Sequence, residues 1–115
     1  MQLSITENEN ITVVTVNESR LDASIAPEFK KQMEEIINND KDKIILDITE
    51  IGFMDSSSLG ALVGVLKAMG NNGKLIVCGA SGVVLELFKL TRMDRIFTLA
   101  EDMASAKRAF IADAK

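Results

Sequence analysis

The hydroxyls of Ser56, Ser57 and Ser58, immediately after Asp55, are the residues whose types and spacing point most directly to chemistry. A serine hydroxyl serves either as a nucleophile, once a base takes its proton, or as an acceptor that another enzyme modifies. The usual base is missing. None of the 115 residues is His, which excludes histidine-based triads and imidazole-ligated zinc, and the absence of Tyr removes phenolic acid–base catalysis.

An enzyme reading then has to rest on carboxylates. Asp47, Glu50 and Asp55 could converge near a strand end and hold Mg²⁺ through oxygen, giving a metal-dependent phosphoesterase or nucleotide hydrolase worked by Asp47 and Asp55. The simpler expectation gives each a structural role, in which Asp47 binds nearby backbone, Glu50 is solvated and Asp55 caps a helix. No catalytic residue, metal or cofactor is therefore expected. Gly70 to Lys74 has the look of a phosphate loop, but Leu75 follows the lysine and a strand follows where a helix is required, so it reads as a helix stop and turn. Gly79-Ala80-Ser81-Gly82 lacks the dinucleotide spacing and reads as a strand-to-helix turn. Arg92 and Arg95 beside Asp94 read as surface ion pairs.

The elements that must position these residues follow from apolar spacing. Leu3 to Ile5 and Ile11 to Val16 read as a hairpin, followed by a loop around Asn17 to Asp22. Phe29, Met33, Ile36 and Ile37 recur at helical spacing, with Ser24 or Ala26 as cap and Pro27 in the first turn. Ile44, Ile45 and Leu46 form a run covered on both faces, the mark of a central parallel strand. A second helix carries Leu59, Leu62, Val63 and Leu66 and ends near Gly70; Leu75 to Cys78 is a further strand. Ser81 caps a third helix with Val84, Leu87 and Phe88 inside. A short strand around Ile96 and Phe97 and a last helix with Met103, Ala106 and Phe110 complete a β-β-α-β-α-β-α-β-α order. This is an α/β fold: a mixed sheet in which an N-terminal hairpin precedes a right-handed βα superhelix, spanning residues 1–115 as one domain.

Composition agrees with a folded, water-soluble unit: 47% hydrophobic, 26% charged and a net charge of −4. Scattered Lys and Arg offer no basic stripe for nucleic acid. The start lacks a basic, apolar leader and no run spans a bilayer, so a cytoplasmic location without membrane insertion is expected, compatible with the lone Cys78.

The serine cluster falls where a strand hands over to a helix, the position at which open α/β sheets place ligands. The following helix is unusually small on one side, with Gly60, Ala61, Gly64 and Ala68, although glycine costs about 1 kcal/mol relative to alanine within a helix. Close approach by the sheet or by a partner accounts for such a face.

These residues resemble the STAS family of bacterial anti-anti-sigma factors and stressosome subunits. The resemblance runs through Leu21-Asp22, Ile44-Ile45-Leu46-Asp47, Phe53-Met54-Asp55-Ser56-Ser57, Leu59-Gly60 and Leu90 to Phe97, in the family's order and over nearly the whole chain. The family motif is Asp-Ser-Ser-Gly-Leu-Gly with the serine before the first glycine phosphorylated, which maps to Ser57. Two departures stand out. Ser58 replaces that glycine, making it, with Ser56, an alternative acceptor and questioning the local backbone, and Ser19 stands where many relatives carry Gly.

The resemblance implies an anti-sigma factor antagonist. It would bind an anti-sigma factor that is also a serine kinase of the histidine-kinase-like ATPase type while Ser57 is free, leave it on phosphorylation, and be reset by a serine phosphatase. The docking surface implied comprises Asp22, Asp55, Ser56, Ser57, Ser58, Gly60, Ala61 and Gly64. An accessory subunit of an ABC lipid-transport complex is the other role the resemblance allows. The switch has its own physical logic: a phosphate adds about −1.5 to −2 charge, a helix N-terminus tolerates it, and a docked carboxylate does not.

Overall fold

Alternation along the central strand decides which layer covers which face of the sheet. The computed structural model describes residues 1–71 and 73–113. Strands β1 (Leu3–Asn8), β2 (Ile11–Val16), β4 (Lys43–Asp47), β6 (Lys74–Cys78) and β7 (Thr98–Ala100) form a sheet in the order β1-β2-β4-β6-β7. β1 runs antiparallel to β2 and the other pairs are parallel. The central place expected for Ile44 to Leu46 is thus found, and all three are fully buried.

Ile44 and Leu46 point to a core shared with Phe29 and Met33 of α1 (Ala26–Ile37), Leu62 and Val65 of α2 (Ser56–Met69), and Val84 and Phe88 of α3 (Gly82–Leu90). Ile45 points the other way, to a smaller core with Ile76 and with Ala106 and Phe110 of α4 (Met103–Asp113). Each large apolar side chain so removed from water contributes about 1.5–3 kcal/mol. Among the described residues, no helix is long and apolar enough to cross a membrane.

The order of elements matches the expectation, with corrections at the joints. The Asn17 to Asp22 loop contains a two-residue strand, β3 (Arg20–Leu21), which pairs in parallel with β5 (Phe53–Met54) in a separate small sheet. Strands this short have no periodicity to read. The last strand is Thr98–Ala100 rather than Ile96 and Phe97, because a 3₁₀ turn over Met93–Arg95 takes both of their amides: Ile96 and Phe97 donate to the Met93 carbonyl. Ile96 is left exposed, whereas Phe97 is buried edge-on against Phe88 with ring centres 5.9 Å apart.

Neither Ser24 nor Ala26 caps α1: the cap position is Ile25, without a side-chain bond, and Ser24 is engaged by Asp22 instead. Ser81 does occupy the cap position of α3, also without a side-chain bond. At the other end of α2, Gly70 (φ +72°) stops the helix and β6 begins at Lys74, as a turn there requires; Asn72 lies outside the described residues.

Candidate functional site

Two leading segments of the same pattern, Leu21-Asp22 and Met54-Asp55, run side by side through β3 and β5 and bring both carboxylates to the starts of α1 and α2. Asp55 has extended backbone (φ −120°, ψ −178°) and is the N-cap of α2. Its Oδ1 accepts from the Ser58 amide at 3.0 Å and from the Ser58 hydroxyl at 3.0 Å. Its Oδ2 accepts from the Ala23 amide at 3.0 Å, so one carboxylate fastens the α1 approach to the α2 start. The Ser58 amide, with further bonds from the Ala23 amide and the Ser58 hydroxyl, holds the Asp55 carboxyl below its ordinary range against desolvation and the nearby Asp22 charge. Asp22 is lowered too, first by the Ser24 hydroxyl and also by the Ser24 amide and Arg20. Arg20 in turn lies 4.7 Å from the centre of the Phe53 ring.

The three hydroxyls have different fates. Ser58 is 0% exposed and donates to the Leu21 carbonyl as well as to Asp55. It is therefore a strut across the β3–α2 joint, closed to a modifying enzyme in this conformation, which removes it as an alternative acceptor and as a docking residue. Its backbone is not in the left-handed region, so serine in place of glycine brings no strain here. Ser56 and Ser57 are both exposed in the first turn of α2. Ser57 alone of the three lines a cleft of about 370 Å³ between the starts of α1 and α2. Ala23, Ala26, Pro27 and Lys30 form one wall, and Gly60 and Ala61 continue the other.

The small face of α2 now divides. Gly60 is exposed with open space where a side chain would stand. Ala61 is mostly buried, so it offers a partner only an edge at the cleft. Gly64 admits the Lys30 side chain: a Cβ there would meet Lys30 Cε at 2.7 Å. Ala23 and Lys30 are cleft residues that the sequence did not single out, and Ala26 and Pro27 read there only as part of the helix start. Lys30 borders the Phe29–Met33–Ile36 core stripe, but only the pairing of α1 with α2 shows what it lies against.

Asp47 and Asp55, weighed as metal ligands, take the structural roles expected of them. Asp47 Oδ1 accepts from the Thr49 amide and hydroxyl, and Asp55 is occupied as above. Among the described residues no three His, Cys, Asp or Glu side chains come together to hold a metal. Cys78 is 1% exposed, and burial, aided by the charges of Asp47 and Asp102, pushes its thiol up to about 11, the state of an unreactive packing residue.

The site is thus an exposed serine at the start of the second helix of a mixed-sheet α/β fold. The chain belongs to the STAS domain family, whose model matches residues 2–106. It is 30% identical over 96 residues to an anti-sigma-B factor antagonist of Listeria monocytogenes, an alignment covering 81% of each protein. Among solved structures it is similar to a candidate anti-sigma factor antagonist of Thermotoga maritima (TM-score 0.87, 24% identity, 93% of this chain and 92% of the other). It also shares its fold with the phosphorylated form of the Bacillus cell fate determinant SpoIIAA (TM-score 0.68, 17% identity, 94% and 99% covered).

Proposed function

We propose that the protein is an anti-sigma factor antagonist, a binding module switched by phosphorylation of Ser57. In this reading it docks, unmodified, on an anti-sigma factor that is a serine kinase of the histidine-kinase-like ATPase type. The kinase transfers the γ-phosphoryl group of ATP to Ser57 Oγ; the hydroxyl proton leaves with the kinase's base and ADP departs. A serine phosphatase hydrolyses the ester and restores the hydroxyl. The chain supplies a substrate hydroxyl and a docking surface, and a kinase fed by ATP places the exchange in the cytoplasm.

The observation that carries this reading is the sorting of the serines: Ser58 is locked inside, while Ser57 stands exposed beside a cleft at a capped helix start. Asp22, Asp55, Ser56, Ser57 and Gly60 lie about the start of α2, with Gly64 one turn beyond Gly60, and they remain the proposed contact region. A phosphate there repels a partner carboxylate about 4 Å away by ~1 kcal/mol per unit charge in water and ~4 kcal/mol at an effective dielectric of 20. Phosphorylation should therefore weaken docking about 10²- to 10³-fold. Binding of the unmodified protein, Ser57→Ala and Ser57→Asp to the kinase, followed by calorimetry, tests it. The alanine form should bind like the parent and the aspartate form at least ~5-fold more weakly; equal affinities for all three refute the switch.

A further inference from the structure

The wall of the cleft opposite Ser57 carries a cation that the switch as described does not use. Lys30 is exposed, and none of the ion pairs among the described residues engages it. It is nonetheless held close to α2. At Gly64 the missing side chain lets the lysine stem lie across the helix, with Nζ only 3.2 Å and Cε 2.7 Å from where a Cβ would be. Ala26 and Pro27 face Ser57 and Gly60 across the cleft, while Lys30 lies one turn further along α1 and Gly64 one turn beyond Gly60. The two helices thus start at the same end. The Lys30 ammonium rests over Gly64, and a change of rotamer in its flexible stem swings it along the shared cleft toward the end where Ser57 stands. Ser57 and Gly64 are about 10 Å apart along the axis, a span shared between a flexible four-carbon stem and the bulk of a phosphate.

We propose that Lys30 is the internal counter-charge of phosphorylated Ser57, drawing the phosphate into the α1–α2 cleft so that modification fills the cleft as well as charging its rim. The inference rests on Ser57 being the modified residue. The acidic groups at this end, Asp22 and Asp55, have their oxygens occupied by Ser24, Arg20, Ala23 and Ser58, and neither lines the cleft. Lys30 is the cation among the residues that do. Unmodified, the cleft has small apolar walls of Ala23, Ala26 and Ala61 and stands open to a partner side chain; modified, it is occupied from within.

The test installs phosphoserine at position 57 during translation, so it needs neither kinase nor partner and stands apart from the binding test of the switch itself. The second ionisation of the phosphate, ordinarily near pH 6, is titrated by ³¹P NMR in the parent, Lys30→Met and Lys30→Arg. Methionine keeps an unbranched stem over Gly64 and removes only the charge. One ammonium about 4 Å away in a water-like dielectric lowers this pKa by ~0.7 unit. The parent should therefore titrate about that far below Lys30→Met, with Lys30→Arg restoring the lower value. Coincident curves for parent and Lys30→Met, or an arginine form that titrates like the methionine form, overturn the proposal.

Discussion

The starts of α2 and α3 both follow a parallel strand and both carry serine, yet they are held by opposite means. At α2 a carboxylate gathers amides from two segments, Ser58 from its own helix and Ala23 from the approach to α1. At α3 the cap residue Ser81 makes no side-chain cap bond, and the turn is set by close backbone approach. Gly79 has φ +87°, and a Cβ there would stand 2.1 Å from Thr49 Oγ1 and 2.9 Å from the Thr49 backbone. A junction tied by hydrogen bonds leaves neighbouring hydroxyls free to face outward on a fixed platform. A junction tied by sterics tolerates no added atom but does nothing to orient a polar group.

The largest effect should come from the steric joint. Gly79→Ala forces a side chain both into a left-handed backbone and against the Thr49 main chain, and is expected to cost ~3 kcal/mol in urea unfolding. A loss below about 1 kcal/mol would mean that the turn shifts freely and that the contrast between the two joints is overdrawn. Next in size is the buried strut of the polar joint. Ser58→Ala deprives the Leu21 carbonyl of its hydroxyl donor and should cost ~1–2 kcal/mol. Ser58→Gly, which restores the residue common in relatives, should cost ~1 kcal/mol more because glycine weakens the first turn. If either variant proved as stable as the parent, the hydroxyl would not be holding the joint.

Much of this architecture can be read from periodicity, and the reasons for the exceptions are local. Ile44 to Leu46 announce a central strand because no polar residue interrupts them, and Phe29, Met33 and Ile36 announce a helix because they recur at its pitch. β3 and β5 are invisible to such counting at two residues each, though the repeated apolar-Asp ending of Leu21-Asp22 and Met54-Asp55 is a trace of their pairing. Ile96-Phe97 misleads because two adjacent apolar residues look alike in a turn and in a strand; the hydrogen bonds to Met93 decide, and these depend on the left-handed Arg92 before them (φ +63°). At the site, the sequence places three equivalent serines after Asp55. It does not reveal that the third turns inward, since that direction depends on the Leu21 carbonyl 37 residues away. Lys30 is hidden for the same reason: its meaning lies in a glycine on another helix.

The smallest effects distinguish the two caps themselves. Asp55→Ala removes an N-cap and leaves the Ala23 and Ser58 amides without their acceptor, a change expected to lower Tm by about 5 °C in a domain of this size. Ser81→Ala removes a hydroxyl that makes no cap bond and should leave Tm within about 2 °C of the parent. The pH dependence separates them further. Asp55 is held below its ordinary pKa in the folded protein, so its contribution is complete above the unfolded value, near 3.9, and is lost as pH falls through the folded one. The gap between parent and Asp55→Ala should therefore be full at pH 7 and close progressively below about pH 4, while the Ser81→Ala curve follows the parent throughout. Thermal unfolding of the three proteins from about pH 7 to pH 3 reads this out. A constant gap for Asp55→Ala would mean that the charged carboxylate contributes no more than its uncharged form, and the polar joint would then owe its rigidity to Ser58 alone.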